Sequence, residues 1–299
     1  MADSSWLERF PQMSRADLTV IRKALDGAYR DFSREYGEAI ESFFDPLLQF
    51  LVWFEKLLIT TPWWLVLIVC AGLVYLASRS WKLVIGSVVS LLLVGYFGMW
   101  EDMMRTMSII TVCTMLAIAL GIPIGIIMAR SNRAQAIITP MLDVMQTLPA
   151  FVYLIPVVML LGIGKIPGVI AVVIYGIPPV IRLTNLGIRL VDKEVLEAAT
   201  AYGASAWQRL FGVQMPLAMP TIMAGINQTI MMALSMVVIA SMIGVKGLGQ
   251  PVLKSITNQY FTLGLLNGLA IVALAIIFDR VSQAYAKRTQ AHLQGLKHD

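Results

Sequence analysis

Charge is what this chain has least of. Acidic and basic residues make up 14% of its 299 residues against 58% hydrophobic ones, and the mean hydropathy of +0.75 lies outside the range of ordinary water-soluble domains. A soluble fold could not hide that much apolar surface. Cysteine is scarce as well: Cys70 and Cys113 lie in apolar segments with no His or Cys at ligand spacing, which argues against a metal site and reads both as small buried hydrophobes. The two histidines, His292 and His298, stand in the polar C-terminal tail, so no nucleophile-base pair of an intramembrane enzyme can be assembled around them. A nucleotide-binding P-loop is missing too. Gly162-Ile163-Gly164-Lys165 lacks the leading Gly and the closing Ser or Thr of that motif, so any nucleotide site belongs to another chain, and this chain is expected not to be an enzyme. The first ~40 residues are polar and mixed in charge, unlike a cleavable signal peptide. The pI near 9.2 does not point to nucleic acid, because the Lys and Arg are dispersed beside apolar segments.

What is present is a series of apolar segments near the ~20 residues that cross ~30 Å of hydrocarbon. They do not alternate as barrel strands would, and lipid offers no partner for an unpaired peptide group, so the expected class is all-α, a polytopic helical membrane protein. Seven spans are expected: Trp63 to Ser78, Leu83 to Met99, Met104 to Ala129, Thr139 to Leu161, Pro167 to Leu183, Leu217 to Ile243 and Leu263 to Tyr285. Before them, residues 1–60 read as a polar tail followed by an interfacial amphipathic helix. In that helix Phe43, Leu47, Phe50, Leu51, Phe54 and Leu58 recur at helical spacing, interrupted by Asp45, Gln49, Glu55 and Lys56. Residues 61–100 then form two accessory spans, 101–290 a core, and 291–299 a tail.

Arg79, Lys82, Arg130, Arg133, Arg182, Arg189, Lys193, Arg209, Lys287, Arg288 and Lys297 all fall on one side of this arrangement, which is therefore expected to be cytoplasmic. An odd span number then puts the C-terminus inside and the N-terminus outside.

Residues 192–216 form a polar loop between the fifth and sixth spans. Asp192 can cap a first short helix, Gly203 can end it in the left-handed conformation, and Ser205-Ala206-Trp207-Gln208 has the form of a capping box that starts a second. Pro216 and Pro220 are expected to end this excursion and start the next span. Ala198, Ala199 and Ala201 beside Glu197 give the first helix a narrow face. By itself the segment could be an ordinary solvated loop.

Its wording is more specific. Glu197-Ala198-Ala199, three residues, Gly203, nine residues, then Val213-Gln214-Met215-Pro216 resembles the E-A-A-x3-G-x9-I-x-L-P signature of binding-protein-dependent ABC importer permeases, with Val and Met in place of Ile and Leu. Gln146 to Pro156, Pro178 to Asn185 and Ser241 to Gly249 look like the permeases of glycine betaine, proline betaine and choline importers. The resemblance implies a permease core of five helices, lying in a bacterial inner membrane as a homodimer. It also implies two copies of a separate ATPase that binds ATP and Mg, and an extracytoplasmic substrate-binding protein. Glu197, Ala198, Ala199, Gly203 and Pro216 would then be the ATPase-coupling contacts.

No ionisable group falls at mid-span, as an ion-coupled carrier usually needs. Polar uncharged residues do punctuate the spans. Gln146, Thr147, Tyr153, Asn227 and Ser235, with Met236 as a soft wall, are the candidates for a neutral, weakly binding solute path, although hydrogen bonding of one helix to the next is the plainer reading of each polar residue. Pro149 and Pro156, and Gly121, Pro123 and Gly125, are expected hinges. Choline, carnitine and proline are alternative solutes, and an ion-coupled secondary carrier is the rival mechanism.

Overall fold

A computed structural model describes residues 12–295, with side chains to residue 288. The first eleven residues and the side chains of His292, Lys297 and His298 lie outside that range. Among the described residues there is no strand, and thirteen α-helices follow one another: α1 (Arg15–Thr60), α2 (Trp63–Ser78), α3 (Trp81–Tyr96), α4 (Trp100–Arg130), α5 (Asn132–Thr147), α6 (Ala150–Leu161), α7 (Lys165–Gly176), α8 (Pro178–Arg189), α9 (Lys193–Ala201), α10 (Ala206–Arg209), α11 (Met215–Ala240), α12 (Gly249–Asn258) and α13 (Phe261–Gly295).

Helix α1 differs from the expected tail and separate interfacial helix. It is one continuous rod of 46 residues, capped where Ser14 Oγ accepts the Asp17 N–H, and about 69 Å long at 1.5 Å per residue. Gly37 is a contact point buried against α6. Leu47 and Leu51 pack on the main core beside Val169 of α7, while Phe43, Phe50, Trp53 and Leu57 stay exposed. These exposed residues recur at helical spacing and form one apolar stripe along the second half of the helix.

All seven expected segments are helical, but they are not seven equal rods. Four helices are long and apolar enough to cross a bilayer, and counting each of two sharply bent pairs as one span gives six. The expected fourth span is such a pair: α5 and α6 meet at 100°. Leu148 adopts an extended conformation there (φ −67°, ψ 132°), as the residue before Pro149 must when it cannot stay helical. The other bent pair is α1 and α2, at 112°. Helices α2 and α3 have 16 residues each, about 24 Å, short for a ~30 Å hydrocarbon layer. They form a hairpin whose Val66, Leu67, Leu91 and Val94 pack with Met103 and Met104 of α4 and Ala270 and Leu274 of α13.

In the centre, α7 and α8 run as one span from Lys165 to Arg189, wedged between α4 and α11. Gly121 and Gly125, one turn apart on α4, face Val180, Ile181 and Thr184 of α8, and Gly225 of α11 faces Leu183 and the Pro179 carbonyl. These glycines let helices approach closely, as small residues do inside membranes. They do not form the expected hinge, because α4 continues unbroken through Pro123.

The two ends of the bundle are distinct. Arg130 stacks over Trp207, Arg189 donates to Asn132 and to the Met128 carbonyl, and Arg288 donates to the Leu76 carbonyl, so basic residues of three helices, α4, α8 and α13, share one end with α9 and α10. The opposite end holds the C-terminus of α1 and the first turns of α4 and α7, joined where Glu55 meets Lys165 and Arg105.

Candidate functional site

The segment between α8 and α11 is built from local hydrogen bonds that its residues dictate. Asp192 accepts the Glu194 N–H at 2.9 Å and starts α9, a helix of nine residues. Gly203, at φ +80°, ends it: the Gly203 N–H bonds the Thr200 carbonyl and the Ala204 N–H bonds the Ala199 carbonyl, a Schellman closure that satisfies the orphan carbonyls. Ser205 then caps α10 reciprocally, its Oγ accepting from Gln208 N and its own N–H donating to Gln208 Oε1 at 2.7 Å. Every cap expected from the sequence is in place.

One expectation about this segment is corrected. Helix α10 does not stop before Pro216. A π-turn at Leu210–Gln214 carries it into α11, with the Met215 N–H reaching back to the Leu210 carbonyl, so that Ala206–Ile243 is continuous. Pro216 has no N–H to give and its ring would strike the carbonyl four residues earlier; the wider π-turn absorbs both defects.

Helix α9 presents its alanines outward. Glu197 and Ala198 are exposed, Ala199 is half-buried and Gly203 is exposed; Pro216 is half-buried at the base of α11. The helix is not loosely attached, for Arg209 donates to Thr200 Oγ1 at 2.6 Å and fixes α9 against α10. Trp207 stacks in parallel on Phe211 at 5.6 Å and under the Arg130 guanidinium at 5.2 Å, linking the segment to the end of α4. Arg189, the last residue of α8, is held by Asn185, Asn132 and the Met128 carbonyl. A short, rigid helix with a small-residue face is thus fastened to three spans. The Arg130 stacking and the Arg189 bonds were not anticipated; only the Asn185–Arg189 spacing of four hinted at the second.

The six path candidates do not form one cluster. Gln146 and Thr147 are exposed at the end of α5, beside the break, and Ser235 is exposed on α11. Tyr153 is buried on α6, where its hydroxyl donates to the Met145 carbonyl across the break and its ring meets Tyr175 edge-on at 5.8 Å. Met236 is wholly buried in the core. Asn227 is half-buried and already engaged, donating to Asp279 Oδ1 at 2.9 Å and accepting from Ser282. Asp279 also accepts from Gln283, so this network joins α11 to α13. No group of three or more His, Cys, Asp or Glu suited to a metal occurs among the described residues.

Comparison with known proteins agrees with this architecture. Residues 121–291 match the family model described as binding-protein-dependent transport system inner membrane component. The chain is 47% identical over 232 residues to the glycine betaine/carnitine transport permease GbuB of Listeria monocytogenes, covering 77% of this chain and 82% of that one. It is 49% identical over 238 residues to the glycine betaine/proline betaine permease ProW of Escherichia coli, covering 80% and 67%. To the glycine betaine permease OpuAB of Bacillus subtilis it is 40% identical over 281 residues, covering 93% and 96%. Among solved structures, the MetNI methionine ABC transporter in an inward-facing conformation superposes with a TM-score of 0.57 at 16% identity, covering 62% of this chain and 93% of that one, which is a likeness of fold. The chain therefore belongs to the family of binding-protein-dependent transport system inner membrane components, as a membrane-spanning permease subunit of an ABC importer.

Proposed function

We propose that this permease imports glycine betaine or a related quaternary-amine solute by alternating access, driven by a separate ATPase that docks on α9. The observation that carries the reading is the capped, exposed helix with Glu197, Ala198 and Ala199 on its surface and Gly203 at its end, fastened to α4, α8 and α11. A partner's cleft can approach an alanine face closely, and a helix held at both ends passes a push to the spans as a rigid-body motion. In this reading Pro216 marks where the segment re-enters α11, ATP and Mg bind to two copies of the ATPase, and two copies of this chain form the conduit. The end carrying α9 faces the cytoplasm. The α1 end faces outward and receives solute from an extracytoplasmic binding protein.

The solute assignment is supported by the relatives named for glycine betaine transport. For the path, the exposed Gln146, Thr147 and Ser235 are the residues proposed to face passing solute, while Tyr153, Asn227 and Met236 hold their own helices in place from within the bundle. Choline, carnitine or proline remain the alternatives for the uptake assay to separate.

The test is co-purification of the ATPase with the wild-type permease and with Glu197→Arg. Glu197 is exposed and makes no bond that supports the fold, so the variant should stay folded and lose the ATPase. Undiminished co-purification would remove α9 from the interface.

A further inference from the structure

Glu55 lies near the end of α1 at 8% exposure, and its carboxylate meets cations on two other helices: Lys165 Nζ at 2.6 Å and Arg105 Nε at 3.7 Å. A carboxylate withdrawn this far from water is costly unless it is paired. Arg105 also pairs with Glu101 and, at 3.5 Å, with Asp102, both on its own helix. Glu55 is thus the group through which charge ties the heads of α4 and α7 to each other and to α1.

The position of Lys165 gives this tie a mechanical meaning. It is the first residue of the span of 25 residues formed by α7 and α8, which ends at Arg189 just before the Asp192 cap of α9. That span is about 38 Å long, with α9 at one end, Glu55 at the other, and its hydrogen-bond ladder interrupted near the middle, where Pro178 and Pro179 have no N–H. Glycine notches on α4 and α11 grip its middle, and Gly168 lies against Val245 near its head. Helix α1 is itself held down: Tyr29 donates to the Pro156 carbonyl, Ser33 to the Leu160 carbonyl at 3.4 Å, and Leu51 is 1% exposed in the core.

Displaced at one end, a span gripped along its middle turns about whatever restrains its other end, and slips if nothing does. We propose that Glu55 is a positioning residue of the transport cycle: it pins the head of α7 to α1 and α4, so that displacement delivered at α9 becomes rotation of the α7–α8 span. This rests on α9 being the ATPase contact.

The permease, reconstituted with its ATPase and binding protein, would be assayed for uptake and ATP hydrolysis together, with thermal stability measured in parallel. In Glu55→Gln the solute moved per ATP should fall at least about fivefold, the lower end of usual coupling effects, with KM for solute unchanged. In the double variant Glu55→Gln/Lys165→Met no lysine charge is left stranded, so stability should recover while coupling stays low. A stable Glu55→Gln/Lys165→Met that moves solute at the wild-type ratio would overturn the proposal. Absence of ATP-driven uptake in the wild type would instead overturn the functional reading itself.

Discussion

Gly125→Ala puts a number on the packing that makes the α7–α8 span a rod. A Cβ built at Gly125 would lie 2.6 Å from Thr184 Cβ, 2.8 Å from the Ile181 carbonyl oxygen and 2.9 Å from Thr184 Cγ2. Optimal separation is ~3.5–4 Å, so α4 and α8 must part by close to an ångström, because a backbone oxygen cannot rotate away as a side-chain end can. Overpacking of this kind costs about 1–3 kcal/mol, offset by about 1 kcal/mol of helix propensity gained over glycine. The expected net loss is about 0–2 kcal/mol, read as a lowered unfolding midpoint of the detergent-solubilised protein and as reduced uptake. Gly86→Ala on α3 is the matched control, since no atom lies within 4 Å of its Cβ position; it should be neutral or slightly stabilising. Gly125→Ala as stable and as active as Gly86→Ala would refute the close-packed rod.

Other substitutions probe separate parts. Ser205→Ala removes the reciprocal cap of α10 and should cost about 1 kcal/mol, seen as faster amide exchange around 205–209. Gly203→Ala forces a side chain into the left-handed region at a cost of about 1–2 kcal/mol, and uptake should fall more than thermal stability does because the strain is confined to the docking segment. Asn227→Ala deprives Asp279 of a donor and Ser282 of an acceptor. It should destabilise by about 1–3 kcal/mol in a thermal melt while KM for solute stays unchanged.

How much of this was legible in the sequence follows the range of the interactions involved. The segment 192–216 was readable nearly residue by residue, because each of its caps is local: the Asp192 and Ser205 side chains bond the Glu194 and Gln208 N–H groups, and Gly203 closes α9 by its own positive φ. The all-helical class and the apolar segments followed from composition and run length. The continuity of α1 was not legible, because Gly27, Gly37 and Pro46 are all helix-weakening locally, and only docking on α6 and α7 shows what Gly37 is for. The 100° break between α5 and α6 was half legible. Pro149 announces a disruption but not its angle, which tertiary packing sets through the Tyr153 bond across the break. The π-turn was hidden for a similar reason: Pro216 signals a defect in the ladder, and either a helix end or a wider turn would resolve it. Glu55, Lys165 and Arg105 lie far apart in sequence, and no local pattern joins them. Among the path candidates, residue type could not separate exposed Ser235 from buried Met236, since burial depends on the opposite helix.

Proteoliposomes holding a defined set of components give the most direct measurement of whether the work of transport enters through α9. Solute accumulation against a gradient is followed with the permease alone under an imposed proton or sodium gradient, with permease, ATPase, binding protein and ATP together, and with Glu197→Arg in the full set. Concentrative uptake should occur with the wild-type full set and fail in the other two. Uphill movement by the permease alone under an ion gradient would contradict the account.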